Sequence, residues 1–294
     1  MKLVTIARAG GDTPDLSGLL RAAPGVVGDP TTLGGRDWSA FEANIDASKR
    51  AELDPYLKTH LSAAPVDFAI VDSVKRKKRL LLCDMDSTII GQECLDELAD
   101  FAGKKSEVSA ITERAMRGEL DFEGALTERV AMLSGLELSA LEDCYRLRIS
   151  LNAGAQTLVS TMKAGGARCV LVSGGFTFFT GRVAEAAGFH TDRANTLLDD
   201  GTALTGEVLQ PILGREAKLD ALVAEAAALG LNPSDALAIG DGANDLAMIE
   251  AAGLGVAYRA KPVVADKADA SINHVDLTAA LFYQGYHEDE FVLD

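Results

Sequence analysis

The spacing of apolar positions changes character three times along the chain. Over residues 2–72 short apolar runs alternate with amphipathic stretches: strands are expected at 3–7, 26–33, 38–45 and 67–71, and helices at 15–21 and 49–61. Their order is βαββαβ. At Leu80-Leu81-Leu82-Cys83 the run is continuous, as in a parallel strand covered on both faces. After Ile90 the period turns helical. Glu93, Leu95, Leu98 and Phe101 open one helix, 108–116 forms a second, and Phe122, Ala125, Val130 and Leu133 mark a third. Ser139-Ala140-Leu141-Glu142 has the capping-box spacing expected at the start of a fourth. No strand pattern interrupts this block, so residues 91–153 are expected to form a helical cap over the mouth of a site.

From Ala155 strands and helices alternate again. A helix over 155–163 precedes a strand at 168–172, which ends in Ser173-Gly174-Gly175. A further helix runs to about residue 187, an Asp-Gly pair at 200–201 signals a hairpin, and 217–229 is an Ala-rich helix. Residues 236–239 read as a strand running into Gly240-Asp241-Gly242-Ala243-Asn244-Asp245, followed by short strands at 255–257 and 270–272. The fold class is therefore α/β: a doubly wound parallel sheet with a helical cap insertion, preceded by a small α+β module. The boundary is expected near residue 74, giving units 1–74 and 75–294.

Composition narrows the partners. At 48% hydrophobic, 294 residues can bury a substantial core. A net charge of −16 argues against nucleic acid and against an anionic membrane surface, both of which need a basic field. A phosphorylated substrate would need locally placed cations. Lys75-Arg76-Lys77-Lys78-Arg79 is a basic run, expected to be a solvated linker between the two units. Cys83, Cys94, Cys144 and Cys169 form no CxxC pair and read as reduced, buried thiols of a cytoplasmic protein. No apolar run reaches the ~18 residues of a membrane span.

In a parallel sheet, ligands gather outside the carboxyl ends of the strands. Three such ends present Asp84 and Asp86, then Ser173 with Gly174, then Asp241 with Asn244 and Asp245. Converging carboxylates without His or Cys suit a hard cation such as Mg²⁺. Ser173 and the glycine amides offer donors for phosphate oxygens, and Lys218 adds a positive charge. A carboxylate in such a site can attack phosphorus, while a second one, two residues on, moves protons.

Asp84-Met85-Asp86-Ser87-Thr88, Ser173-Gly174-Gly175, Lys218 and Gly240-Asp241-Gly242-Ala243-Asn244-Asp245 resemble the four ordered motifs of the haloacid dehalogenase superfamily. From about Lys77 to Gly285 the resemblance extends to the phosphoserine phosphatases. It is carried also by Gly-Gln-Glu93-Cys-Leu-Asp-Glu-Leu, by Phe122 to Arg129, by Gly255-Val256-Ala257 and by Ala260-Lys261-Pro262. The resemblance implies Mg²⁺-dependent hydrolysis of phosphoserine. Asp84 would be nucleophile and metal ligand, and Asp86 acid and base with its carbonyl on the metal. Asp241 would complete the ligands, supported by Asp245 and Thr88. Ser173, Gly174, Lys218 and Asn244 would hold the phosphoryl group, Glu93 the substrate ammonium and Arg129 its carboxylate, with Phe122 closing the pocket. The βαββαβ order of residues 1–74 resembles amino-acid-binding ACT domains, which implies a regulatory or oligomerisation module and a homodimer through it. Two other readings stay open: a phosphatase or phosphotransferase acting on another small phosphomonoester, and a serine-sensing regulatory protein.

Overall fold

Ten strands join in one mixed sheet in the computed structural model, which describes residues 1–10, 13–116, 119–214 and 216–293. The front unit contributes β1 (Lys2–Arg8), β2 (Val26–Gly34), β3 (Trp38–Ile45) and β4 (Asp67–Val71), with helices α1 (Leu16–Ala22) and α2 (Arg50–Leu61). The rest of the chain contributes β5 (Leu80–Cys83), β6 (Arg168–Phe176), β7 (Thr191–Asn195), β10 (Ala236–Gly240), β11 (Leu254–Tyr258) and β12 (Ala270–Ile272). A separate hairpin pairs β8 (Leu197–Asp199) with β9 (Leu204–Val208). The order is β2-β3-β1-β4-β12-β11-β10-β5-β6-β7, with every pair from β12 to β7 parallel and every pair from β2 to β12 antiparallel.

The continuous apolar run at β5 has the expected cause. Leu81 and Cys83 face one core cluster while Leu80 and Leu82 face another, so both faces are covered. That places β5 in the middle of the parallel half, between β10 and β6, and brings Asp84, Ser173 and Asp241 to one edge. The helices α7 (Ala155–Ala164), α8 (Thr177–Ala187), α9 (Ala217–Ala228), α10 (Leu246–Ala251), α11 (Pro262–Ala265) and α12 (Ala279–Tyr283) flank this half.

The cap is built from α3 (Cys94–Phe101), α4 (Lys105–Met116), α5 (Phe122–Ala131) and α6 (Leu138–Arg148). Its two connections to the body are zipped together by the bridge between Ile90 and Leu151. Asn152 strengthens the zipper: its main-chain N–H donates to Ile89 O at 2.8 Å and its side-chain amide to Thr88 O at 2.8 Å. The hairpin belongs to the cap as well, since the Leu204 N–H donates to Leu136 O and the Gly135 N–H to Leu204 O, both at 2.9 Å.

Three sequence expectations need correction. The basic run is not simply solvated: the Arg76 guanidinium is partly buried, pairs with Glu42, and donates to Tyr283 O at 2.8 Å and Phe282 O at 3.1 Å. Ser139 does not cap α6. The helix starts at Leu138 because the preceding residue, Glu137, bridges to Ala203 of the hairpin, and Ser139 merely donates to Glu137 at 3.3 Å. Strand β7 was not expected, because Thr-Asp-Arg-Ala-Asn at a sheet edge carries no apolar alternation.

The N-terminal strands are tied to the C-terminal part of the chain where β4 meets β12. Asp67 of the front unit accepts the N–H groups of Asn273, His274 and Val275, each at 2.9 Å. Reciprocally, Glu288 accepts those of Gly35, Arg36 and Asp37 at 2.8–2.9 Å. Val4, Ile6 and Trp38 join the same core as Phe282 and Tyr283. Replacing Asp67 strands three amide donors, so Asp67→Ala is expected to cost ~2–4 kcal/mol of stability. The sole tryptophan, Trp38, sits in this shared core. Its fluorescence and the far-UV circular dichroism are expected to report one coincident urea transition, whereas an earlier Trp38 transition would show that the units unfold separately.

Candidate active site

Strand β5 carries the chain to Asp84, whose N–H still donates across the sheet to Ile239 O at 2.9 Å. The backbone then doubles back. Ser87 adopts a left-handed φ of 53°, a conformation that costs a non-glycine residue on the order of 1 kcal/mol. The turn closes when the Ile90 N–H donates to Met85 O at 3.0 Å. This sharp reversal sets Asp84 and Asp86 at one edge with different neighbours.

Asp84 is buried against Lys218, at 2.7 Å from Oδ1, and the Met85 N–H donates to the same oxygen at 2.7 Å. Lys218 also reaches Asp245 Oδ1 at 2.5 Å. Asp245 Oδ2 accepts the Asp241 and Gly242 N–H groups at 3.1 and 2.9 Å. Asp245 is thus a brace that fixes both the lysine and the loop after β10. Burial pulls the Lys218 ammonium toward neutrality, but Asp84 and Asp245 outweigh it and hold it charged, above its ordinary value. Burial and then Asp245 push the Asp84 carboxyl well up. Two carboxylates share one ammonium, so the cluster is left with excess negative charge that a further cation would offset.

Ligand atoms of Asp84, Asp241 and Asp245 lie within 4.8 Å of one another. The donor set is all oxygen, which suits a hard divalent cation. Asp86 directs its carboxylate elsewhere: Oδ1 accepts the Cys94 N–H at 2.8 Å and Oδ2 the Ser173 hydroxyl at 3.1 Å. It joins the first turn of cap helix α3 to the end of β6, and burial raises its pKa. Burial raises Asp241 too, and the Thr88 hydroxyl lies 3.4 Å from it.

Above these groups opens a cavity of about 800 Å³, lined from the body by Asp84, Asp86, Gly174, Asp241 and Asn244 and from the cap by Glu93, Phe122 and Arg129. The Phe122 ring lies so close over Gly174 that a Cβ at that glycine would sit 3.0 Å from it. A Cβ on Gly175 would meet the Ser173 hydroxyl at 3.0 Å and Asp86 at 3.1 Å, so a side chain near the end of β6 would crowd both groups. Glu93 is exposed at the cavity lip and accepts the Ser87 hydroxyl at 2.7 Å. Desolvation, then the neighbouring Asp86 carboxylate, pushes it up to about 7. Arg129 donates from Nε to Ala125 O at 3.1 Å, and burial lowers its pKa.

Sequence reasoning missed Asn195. It ends β7 and donates from Nδ2 to Gly174 O at 3.0 Å while its Oδ1 accepts the Leu213 N–H at 2.7 Å, which fixes the Ser173–Gly174 turn. An apolar-run search passes over β7, so nothing pointed to it. Asn152 was missed for a related reason: its work is done through main-chain carbonyls of another segment.

A family model for haloacid dehalogenase-like hydrolases matches residues 81–250. A phosphoserine phosphatase of Polaromonas sp. is 47% identical over 208 residues, covering 69% of this chain and 88% of that protein. The crystal structure of a probable phosphoserine phosphatase from Vibrio cholerae, 32% identical, superposes with a TM-score of 0.78 over 97% of this chain and 86% of its own. A structure solved as a phospho-aspartyl intermediate analogue of phosphoserine phosphatase, 40% identical, gives a TM-score of 0.65 over 70% of this chain and 99% of its own.

The acid cluster predicts a pH dependence. Asp84, Asp86, Glu93 and Asp241 all have folded pKa values above their ordinary ones. The folded state therefore holds more protons than the unfolded state between roughly pH 4 and 7, and stability falls as pH rises through that window. In EDTA the melting temperature is expected to drop from about pH 5 to 7, and a divalent cation to flatten the drop. A metal-free melting temperature that climbs over the same interval contradicts the clustered-acid picture.

Proposed function

The chain belongs to the haloacid dehalogenase-like hydrolases, and among them to the phosphoserine phosphatases, and from that premise we propose how its own residues hydrolyse O-phosphoserine to serine and phosphate. The observation that carries the reading is the placement of Asp84 against Lys218 on the floor of a cavity that Glu93, Phe122 and Arg129 roof. Asp84 attacks phosphorus as the serine O–P bond breaks, and the phosphoryl group passes to its carboxylate. Asp86, raised in pKa by burial, gives its proton to the departing serine oxygen. It then takes a proton from the water that attacks the aspartyl phosphate, so that phosphate leaves and both aspartates return to their starting states. Splitting the hydrolysis this way replaces one difficult displacement by two easier ones.

Asp84 and Asp241, with the main-chain carbonyl of Asp86, would hold Mg²⁺, which supplies positive charge to the phosphoryl oxygens. Lys218 contributes further positive charge, and Ser173, Gly174 and Asn244 donate to the same oxygens. Asp245 and Thr88 keep these groups in place. Arg129 receives the substrate carboxylate through a fork of donors, and Glu93 its ammonium. Phe122 covers Gly174 and excludes water once substrate is seated.

The front unit, residues 1–74, is part of the same proposal as an ACT-like regulatory or oligomerisation module, supported by its βαββαβ order. Strand β2 at the end of the sheet offers an edge on which a second copy can pair. We place the enzyme in the cytoplasm, in keeping with four buried free thiols.

Asp84→Asn is expected to fold with an unchanged circular-dichroism spectrum and to lose at least ~10⁴-fold in kcat, as removal of a nucleophile does. Substrate choice is read separately. Arg129→Ala and Glu93→Gln are expected to lower kcat/KM for phosphoserine by roughly 10- to 100-fold, corresponding to lost charge-assisted bonds, while p-nitrophenyl phosphate hydrolysis stays within about threefold. Equal losses on both substrates would remove the cap from amino-acid recognition and favour a phosphatase for another phosphomonoester.

A further inference from the structure

Ala260-Lys261-Pro262 belongs to the family resemblance but has no task in the scheme above. The structure puts Lys261 on the wall of the 800 Å³ cavity, beside Asp241 and Asn244. Its place there is set by the backbone. Arg259, just after β11, turns through a left-handed φ of 45°, and the Lys261 N–H then donates to Asp241 O at 3.3 Å. The Lys261 carbonyl accepts the N–H groups of Val264 and Ala265 at 2.9 and 3.1 Å, so the residue is tied both to the loop after β10 and to α11. Its side chain is exposed, and among the described residues its ammonium has no hydrogen-bond or ion-pair partner.

The charge around the cavity makes that free ammonium consequential. Carboxylates of Asp84, Asp86, Glu93, Asp121, Glu123 and Asp241 line the space, against the cations of Arg129 and Lys261. Lys218 lies beneath the floor, occupied by Asp84 and Asp245. The whole chain carries −16. With the charge of Asp84 and Asp241 offset by the Mg²⁺ they would hold, the carboxylates of Glu93, Asp121 and Glu123 still repel an approaching phosphoryl dianion, and a cation within a Debye length of ~8–10 Å of the entry path offsets them. Arg129 sits on the cap, where the proposed carboxylate contact uses it. Lys261 is on the body side, next to the groups that take the phosphoryl oxygens. Its charge also opposes the upward push that burial gives the Asp241 carboxyl.

We propose that Lys261 is a specificity-determining residue that receives the phosphoryl dianion at the mouth of the cavity, so that the acidic site admits the phosphorylated ligand in preference to its dephosphorylated product. The inference rests on the phosphatase reading given above. Lys261 acts on capture and not on the chemical step, so it contributes to kcat/KM and to phosphate affinity and leaves kcat alone. Serine, which brings no phosphoryl group, gains nothing from it.

The test compares Lys261→Gln and Lys261→Arg with the wild-type enzyme at low and high ionic strength. It measures kcat and kcat/KM for phosphoserine, and competitive inhibition by inorganic phosphate and by serine. Lys261→Gln is expected to lose roughly 5- to 20-fold in kcat/KM at low ionic strength, to show a weaker salt dependence, and to raise the inhibition constant of phosphate by a similar factor. Its kcat should stay within about twofold, serine inhibition should be unchanged, and Lys261→Arg should behave as wild type. An unchanged phosphate inhibition constant, a loss confined to kcat, or equal weakening of phosphate and serine overturns the proposal. The phosphate measurement can also be read against p-nitrophenyl phosphate. If wild type ignores phosphoserine while Lys261→Gln still weakens phosphate there, the functional reading fails and the role of Lys261 stands.

Discussion

One ammonium between two buried carboxylates is the constraint on which the rest of the structure turns. Lys218 holds Asp84 and Asp245 at hydrogen-bond distance inside a core where an unpaired charge of either sign would be very costly. Asp245 in turn fixes the loop after β10 through two main-chain N–H groups, and that loop carries Asp241. The floor of the site is therefore rigid before any ligand arrives. It is also short of positive charge, because three acids converge on one lysine. A site with that imbalance is preset to take up a divalent cation and a phosphoryl group together, which is the electrostatic core of the proposed reaction.

Around the floor the chain separates what must be fixed from what must open. Asp86 is held between Cys94 at the start of the cap and Ser173 on the body, so the proposed proton carrier lies at the seam between the two. The cap returns to the body through a short zipper in which Asn152 grips the carbonyls of Thr88 and Ile89, the same turn that bears Asp86. Any opening of the cap pivots close to the catalytic turn. On the far side of the sheet, the front unit is locked by reciprocal carboxylates, Asp67 and Glu288, each capping a loop of the other unit. Arg8 adds a charged contact to Asp276, whose Oδ1 accepts the Thr278 N–H at 2.9 Å close to Gly154 at the start of α7.

Much of this was legible in the sequence because the catalytic part obeys strong local rules. A doubly buried strand needs an unbroken apolar run, and Leu80 to Cys83 provides one. The acids at strand ends and the helical period of the cap follow from the same kind of pattern. What escaped was set by tertiary contacts. Arg76 lies in a run of five basic residues that by composition belongs in water, yet Glu42 and two carbonyls partly bury its guanidinium. The single residue pair joining β4 to β12 leaves no trace in either segment, so the sheet reads as two pieces. Asn195 and Asn152 act on backbone carbonyls far away in sequence, and no spacing rule reaches them. Ser139 and Glu142 satisfy a capping rule, but pairing between Glu137 and Ala203 decides where α6 begins.

Capture of the covalent state tests the central claim most directly. Enzyme mixed with phosphoserine and Mg²⁺, quenched in acid during turnover and digested, is expected to yield the peptide carrying Asp84 with one phosphoryl group attached to that side chain. Full phosphate release with an unmodified Asp84 peptide at every quench time, under conditions where an authentic aspartyl phosphate survives the work-up, would contradict it.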